Sequence, residues 1–166
     1  MKVLLATAHG PYDSVWGESL HDLFTARLTR GQGMFSFTSH WHAFGLHLIA
    51  ENLRAPTTVL EEPTLADFEA ELARGYDVVG FQLMSRHSAR VAAMAEAVKR
   101  TSPKARVVLG GFGAAALADD VPSDPERAAE RLRAAADHVC REDGVAYMRA
   151  LLGEPAGPVR QRSLPM

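Results

Sequence analysis

Two strand-length apolar runs, each ending in polar or side-chain-free residues, constrain this chain more than any other feature. Tyr76-Asp-Val-Val-Gly-Phe-Gln-Leu-Met84 runs into Ser85-Arg86-His87, and one helix length later Ala105-Arg-Val-Val-Leu-Gly-Gly-Phe-Gly-Ala114 runs into Gly110, Gly111 and Gly113. Unbroken apolar runs are what strands buried on both faces of a parallel sheet require. Glycine where a strand ends allows a sharp turn and lets a ligand approach the main chain. Two such strand ends on one edge form the crevice in which open α/β sheets hold ligands.

The rest of the chain alternates in the same way. Lys2-Val-Leu-Leu-Ala-Thr7 is a first buried strand, stopped at Ala8-His9-Gly10-Pro11. His42 to Arg54 reads as a helix with Phe44, Leu48 and Ile49 inward and Pro56 just beyond it. Thr57 to Glu61 is a short strand, and Thr64 caps a helix from Leu65 to Arg74 that Gly75 closes. The strand from Val78 to Leu83 leads to a helix from Ser88 to Lys99, with Val91, Met94, Ala95 and Val98 inward. A strand over Arg106 to Leu109 follows. Asp124-Pro125-Glu126 then starts a helix, with Asp as cap and Pro at the first helical position. Asp137 to Arg141 is a fifth strand, and Gly144 to Leu152 a last helix. The pattern predicts an α/β fold: a five-stranded parallel, doubly wound (flavodoxin-like, Rossmann-like) sheet in the order 2-1-3-4-5. This domain spans 1–153, and residues 154–166, with three prolines, read as a linker or extended arm. Between Tyr12 and Ser39 there is no clean period, although Ser19 to Arg30 could form a helix. A connection this long is more often functional than idle.

A length of 166 residues suits one domain with a sizeable core. A net charge of −2 provides no field that favours nucleic acid or a membrane surface. No apolar run approaches the roughly 18 residues of a membrane span. The single cysteine, Cys140, excludes an internal disulfide and fits a reducing compartment, so the cytoplasm is expected.

Each polar group at the predicted edge has two readings. Gly110-Gly111-Phe112-Gly113 is either a tight strand-to-helix turn or a bare floor for a large planar ligand. It is not the dinucleotide fingerprint, which follows the first strand and needs an acidic residue about 20 positions on. Ser85 and His87 either cap the helix that begins near Ser88 or contact a ligand. His9 is either a solvated loop histidine or a ligand-facing one. His40, His42 and His47 lack the spacing of a helical zinc site. Glu142-Asp143 is either a ligand contact or a solvated acidic turn. Arg127, Arg131 and Arg133, interleaved with Glu126 and Glu130, read as an exposed helix face with local ion pairs. No nucleophile–base arrangement is proposed by spacing, and no residue is expected to be catalytic.

Taken in order, three pieces resemble the cobalamin-binding domain at the N-terminus of cobalamin-dependent radical S-adenosylmethionine enzymes. They are Tyr76-Asp-Val-Val-Gly-Phe-Gln, then Lys104-Ala-Arg-Val-Val-Leu-Gly-Gly-Phe-Gly, then Ala136-Asp-His-Val-Cys-Arg-Glu-Asp-Gly144 with its helix. The resemblance covers nearly the whole chain. The last piece is a degenerate form of the family's Asp-x-(apolar)-(apolar)-x-Gly-Glu-Gly-Glu. The resemblance implies a corrin across the carboxyl ends of the strands, with its dimethylbenzimidazole tail sunk into the sheet edge. It puts Met84, Ser85 and Arg86 beside the tail. It puts Gly110, Gly111, Phe112 and Gly113 along the nucleotide, and Thr7, His9, Gly10 and Pro11 under the corrin. Glu142 belongs to the degenerate last piece and is carried as a cofactor contact.

Methionine-synthase-like cobalamin domains carry Asp-x-His-x-x-Gly after the first strand, and their His ligates cobalt. The register here is Thr7-Ala-His9-Gly-Pro-Tyr12. His9 is therefore a candidate lower cobalt ligand, but the Asp that would orient its second nitrogen is missing, which favours a non-coordinating His9. The radical domain's iron–sulfur cluster needs three closely spaced cysteines. S-adenosylmethionine and that cluster are thus expected only in a separate or missing domain, either in the same longer chain or acting in trans. The implied role is to bind cobalamin and present it for methyl transfer or related radical chemistry. Two other classes are open to such a sheet. One is a flavodoxin-like or receiver-like signalling or protein-interaction domain, of which a receiver needs acidic residues where Thr7, Ala8 and Met84 stand. A hydrolase using His9 and Ser85 lacks the Gly-x-Ser-x-Gly elbow.

Overall fold

The computed structural model describes residues 1–8, 43–84, 87–117 and 127–161. Five parallel strands form one sheet in the order β2-β1-β3-β4-β5. They are β1 (Val3–Ala6), β2 (Thr57–Leu60), β3 (Val78–Gln82), β4 (Arg106–Gly110) and β5 (His138–Val139). The helices are α1 (Phe44–Asn52), α2 (Leu65–Leu72), α3 (Ser88–Thr101), α4 (Phe112–Ala116), α5 (Ala128–Ala135) and α6 (Gly144–Leu152). The fold is thus the doubly wound α/β sheet that the alternation predicts. Register runs through the central strands: Leu5 pairs with Gly80, Gly80 with Val108, and Gln82 with Gly110.

Alternation along the strands splits the core in two. Leu4, Val79, Phe81, Val107 and Leu109 face α2, α3 and α5, where Phe68, Met94 and Leu132 are fully buried. Val3, Leu5, Val78 and Val108 face the other way, toward Leu46 of α1 and Met148 and Leu152 of α6. At roughly 25 cal/mol per Å² of apolar area removed from water, these two layers supply most of the driving force for folding.

Several local expectations are met. Thr64 Oγ1 accepts from the Asp67 amide at 3.1 Å, and Gly75 (φ 79°) ends the turn after α2. Other expectations are corrected. Phe44, read as inward, is 73% exposed, and Leu46 takes the buried place on α1. This helix starts at Phe44, and its buried residues are Leu46 and Asn52, so the first residue lies on its exposed side. β5 has two residues where five were expected, because only His138 and Val139 pair with β4. The short α4 straight after the glycines was not foreseen. The expected helix start at Asp124-Pro125-Glu126, the helix over Ser19 to Arg30 and most of the His40–His47 cluster lie outside the described residues. α5 itself begins at Ala128. Its arginines do not all form local pairs. Arg127 meets Glu130, but Arg131 makes two bonds to Glu96 of α3, at 2.7 and 2.8 Å, and Arg133 donates to the Leu117 carbonyl.

One surface carboxylate ties a helix to the sheet. Asp137 accepts from Lys99 Nζ at 2.5 Å and from the Val107 amide at 2.6 Å. Partial burial alone would raise its pKa, but these two bonds and the Lys99 charge outweigh burial and hold it below the ordinary carboxylate value. A depressed carboxyl adds stability above its unfolded pKa, about 3.9, and loses it as pH falls through the folded value. Asp137→Asn is therefore expected to be less stable than the parent near pH 7. The gap in urea midpoint should close as pH drops from about 4 toward 2. A gap that stays constant with pH would show that the charge is not responsible.

Candidate functional site

The carboxyl ends of β1, β3 and β4 open into a cleft of about 290 Å³ on the α1/α6 face of the sheet. Its floor is Leu5, Gly80, Gln82, Val108 and Gly110, and its walls include Ile49 from α1 and Met148 from α6. Three glycines shape it for different reasons. A Cβ on Gly80 would stand 2.8 Å from Leu5 Cδ2, so the bare backbone there is already used by the Leu5 side chain. A Cβ on Gly144 would meet Ile49 Cδ1 at 2.8 Å, so this glycine sets how closely α6 approaches α1. Among the described residues a Cβ on Gly110 would have only Cys140 Cβ within reach, at 3.8 Å, so the space above Gly110 belongs to the cleft.

Gly111 makes the corner. Its φ is 90°, a left-handed value, and a Cβ there would meet the Leu83 carbonyl oxygen at 3.0 Å. That same carbonyl accepts from the Gly113 amide at 2.9 Å, while the Leu83 amide donates to the Gly110 carbonyl at 2.7 Å. The ends of β3 and β4 are thus stitched together beside the cleft. Gly111→Ala combines backbone strain with a clash on that carbonyl. It is expected to cost about 1–3 kcal/mol in urea unfolding and to widen the corner. An unchanged midpoint would contradict this.

The electrostatics of the cleft are simple. Among the described residues its lining contains no lysine or arginine, and Glu142 and Asp143 stand at its rim. Asp143 caps α6, its Oδ1 accepting from the Ala146 amide at 2.7 Å. Cys140 is buried and lines the cleft, with its Sγ donating to the Glu142 carbonyl at 3.4 Å. Burial pushes the Cys140 thiol above its ordinary pKa despite that bond, which leaves it a neutral apolar group at pH 7. The polar exception on the floor is Gln82. It lies on the cleft face by strand alternation with Val78 and Gly80, and its carboxamide has no hydrogen-bond partner among the described residues.

The residues singled out from sequence divide three ways. Gly110, Gly111 and Glu142 line the cleft. Thr7, Met84, Phe112 and Gly113 lie at the same edge without lining it. The Thr7 hydroxyl accepts from the Glu62 amide at 2.8 Å and so holds the left-handed turn after β2. Gly113 is buried, Met84 is 38% exposed, and Phe112 points into solvent at 93% exposed. Neither Phe112 nor Met84 plugs the cleft. His9, Gly10, Pro11, Ser85 and Arg86 lie outside the described residues. His87 is the N-cap residue of α3 but makes no side-chain capping bond. Sequence reasoning missed Gln82, Gly80, Ile49 and Cys140 as cleft residues. Counting alternate positions back from Gly110 and along β3 from Val78 would have found the two on β3.

The geometry suits one part of a corrinoid. Small-molecule pockets run from roughly 300 to 1,000 Å³, so 290 Å³ admits a bicyclic heteroaromatic ring and leaves a whole corrin outside. The apolar walls, the bare Gly110 floor and the unpartnered Gln82 carboxamide fit such a ring. Any histidine ligand to cobalt at the first-strand end would be His9, outside the described residues.

No protein-family model matches the chain, and no curated protein matches it. Two solved structures are similar to it at low identity. One is a cobalamin-binding protein from Desulfitobacterium hafniense DCB-2, with 13% identity over 90% of this chain and a TM-score of 0.43. The chain spans 57% of the length of that protein. The other is a pilus assembly-related protein from Burkholderia pseudomallei K96243, with 17% identity over 94% of this chain and 93% of its own, and a TM-score of 0.38.

Proposed function

We propose that this chain is a cobalamin-binding module that offers cobalt's upper face to a radical S-adenosylmethionine domain, carried in a longer chain or met in trans. The observation that supports it most directly is the open space above Gly110, at the carboxyl edge between β3 and β4. There the floor of an apolar cleft lacks a side chain and none of the described residues fills the gap. In this reading the nucleotide arm of the cofactor enters the cleft between the sheet and the α1/α6 pair. The corrin stays outside, above the strand ends. Three apolar side chains stand exposed on elements that start or end at that edge: Phe44, Met84 and Phe112. Bound cobalamin would supply organometallic methyl chemistry, while the protein supplies a dry pocket and a fixed orientation. With no thiolate or cation among the described residues of the lining, these bind by shape, apolar contact and the Gln82 amide.

The test is retention of corrin. Protein mixed with hydroxocobalamin at tens of micromolar and passed over a sizing column is expected to carry a corrin spectrum with it. The spectrum also reports whether the lower base has left cobalt, as sinking the arm into the cleft demands. Protein that elutes colourless at that concentration, or with the base still on cobalt, would sink the proposal.

A further inference from the structure

We infer that the cleft selects the lower base of the corrinoid, and that Gln82 makes it favour an adenine base over dimethylbenzimidazole. The inference rests on the cobalamin reading and goes beyond it. Three observations carry it. Gln82 is a polar residue on a floor otherwise formed by Leu5, Gly80, Val108 and Gly110. Its carboxamide is unpartnered among the described residues, although it is half-buried, and its Cγ lies 3.5 Å from where a Cβ of Gly111 would stand. The neighbouring glycines leave the space beside it free of the other described residues, wide enough for a flat ring.

A carboxamide offers one donor and one acceptor side by side. Dimethylbenzimidazole released from cobalt has a single ring nitrogen to accept, so the amide N–H finds a partner and the amide oxygen is left facing apolar ring. Adenine linked through its imidazole ring still presents the amino N–H next to the N1 ring nitrogen, a donor–acceptor edge that matches both groups of a carboxamide at once. A partly buried acceptor left without a partner loses more than the bond itself is worth, because it has given up water.

The same adenine chemistry could come from a free nucleotide. The cleft argues against that source. Among the described residues no basic side chain lines it, and Glu142 and Asp143 at its rim repel the dianionic phosphate of a free nucleotide more than the monoanionic phosphodiester of a corrinoid arm.

The experiment uses the full chain and three probes: cobalamin, the corrinoid whose lower base is adenine, and AMP. Equilibrium dialysis read by corrin absorbance is expected to show the adenine form held about tenfold more tightly than cobalamin. Gln82→Met, close in size but without the amide, should bring the two corrinoids to within about twofold of each other. AMP should displace neither at micromolar concentration. Equal binding of both corrinoids by the parent protein, or tighter cobalamin, overturns the inference and leaves the cobalamin reading standing. Binding of neither overturns both. Displacement by micromolar AMP assigns the base pocket to a free nucleotide and overturns the corrinoid assignment. The parent comparison needs no variant, so a poorly folded Gln82→Met does not remove the test.

Discussion

Gly110→Leu is expected to abolish corrin retention while leaving the protein folded. Gly110 closes β4 at a φ outside the left-handed region, and among the described residues a Cβ there has nothing nearer than Cys140 Cβ at 3.8 Å. A leucine side chain can therefore be built without backbone strain, and the room available to it is the cleft itself. Filling a slot of about 290 Å³ with a branched four-carbon side chain leaves no path for a bicyclic ring. Retention should fall below detection, a loss of at least about hundredfold, or nearly 3 kcal/mol. Circular dichroism and the urea midpoint should change little, because burying apolar atoms in an apolar cleft offsets the loss of glycine's freedom. Gly110→Ala is the graded control, with partial loss. Full retention in the leucine variant would move the cofactor away from this cleft.

Asn52→Ala is expected to give the largest stability loss from a single polar side chain. Asn52 is the buried polar residue of the described core, 5% exposed at the end of α1. Its amide nitrogen donates to the Leu48 carbonyl at 2.9 Å and the Arg160 carbonyl at 3.0 Å. Its Oδ1 accepts from the Arg160 amide at 2.7 Å and from Arg149 Nη2 at 3.3 Å. Arg149 then reaches the Gly157 carbonyl, and Glu154 accepts from the Arg54 and Ala55 amides. Residues 154–161 are thus clasped across the ends of α1 and α6, the two helices that wall the cleft. Alanine removes the four bonds of the Asn52 side chain and leaves Arg149 bonded to the carbonyls of residue 52 and Gly157. The expected cost is about 2–4 kcal/mol, seen as a lower urea midpoint at unchanged slope. Trypsin should also cut faster after Arg160. A loss under about 0.5 kcal/mol would mean that water replaces the clasp at no cost.

How much of this was readable beforehand depends on the range of the interaction. The apolar runs at Val78–Leu83 and Arg106–Leu109 identified their strands because burial on both faces leaves a local signature. Thr64 and Gly75 were readable as punctuation because a cap acts on its own turn. The strand order followed from the alternation of elements, since parallel neighbours need a crossover. Phe44 misled because periodicity tells which side of a helix is apolar, not where the helix begins. Arg131 misled because an exposed-looking helix face was in fact the contact with α3.

The candidate site shows the same divide. Gly110 and Gly111 were conspicuous, but the reason each is glycine differs: one leaves room, the other takes a left-handed turn against the Leu83 carbonyl. Gly80 and Gly144 looked unremarkable and are required by the side chains of Leu5 and Ile49, from elements far away in the chain. Gln82 could have been placed on the cleft face by counting, yet its lack of a partner among the described residues is visible only once the surrounding residues are in position.

By itself, then, the order of residues determined which segments pair, in what direction, and at which edge side chains are withdrawn, because burial, capping and chain reversal are decided within a turn or a strand. Only the tertiary structure decided how wide the gap beside Gly110 is and what polar group lies on its floor. It alone showed that the C-terminal arm is tied to Asn52. Those outcomes depend on the distance between groups that the chain brings together from opposite ends, and such distances are set by packing.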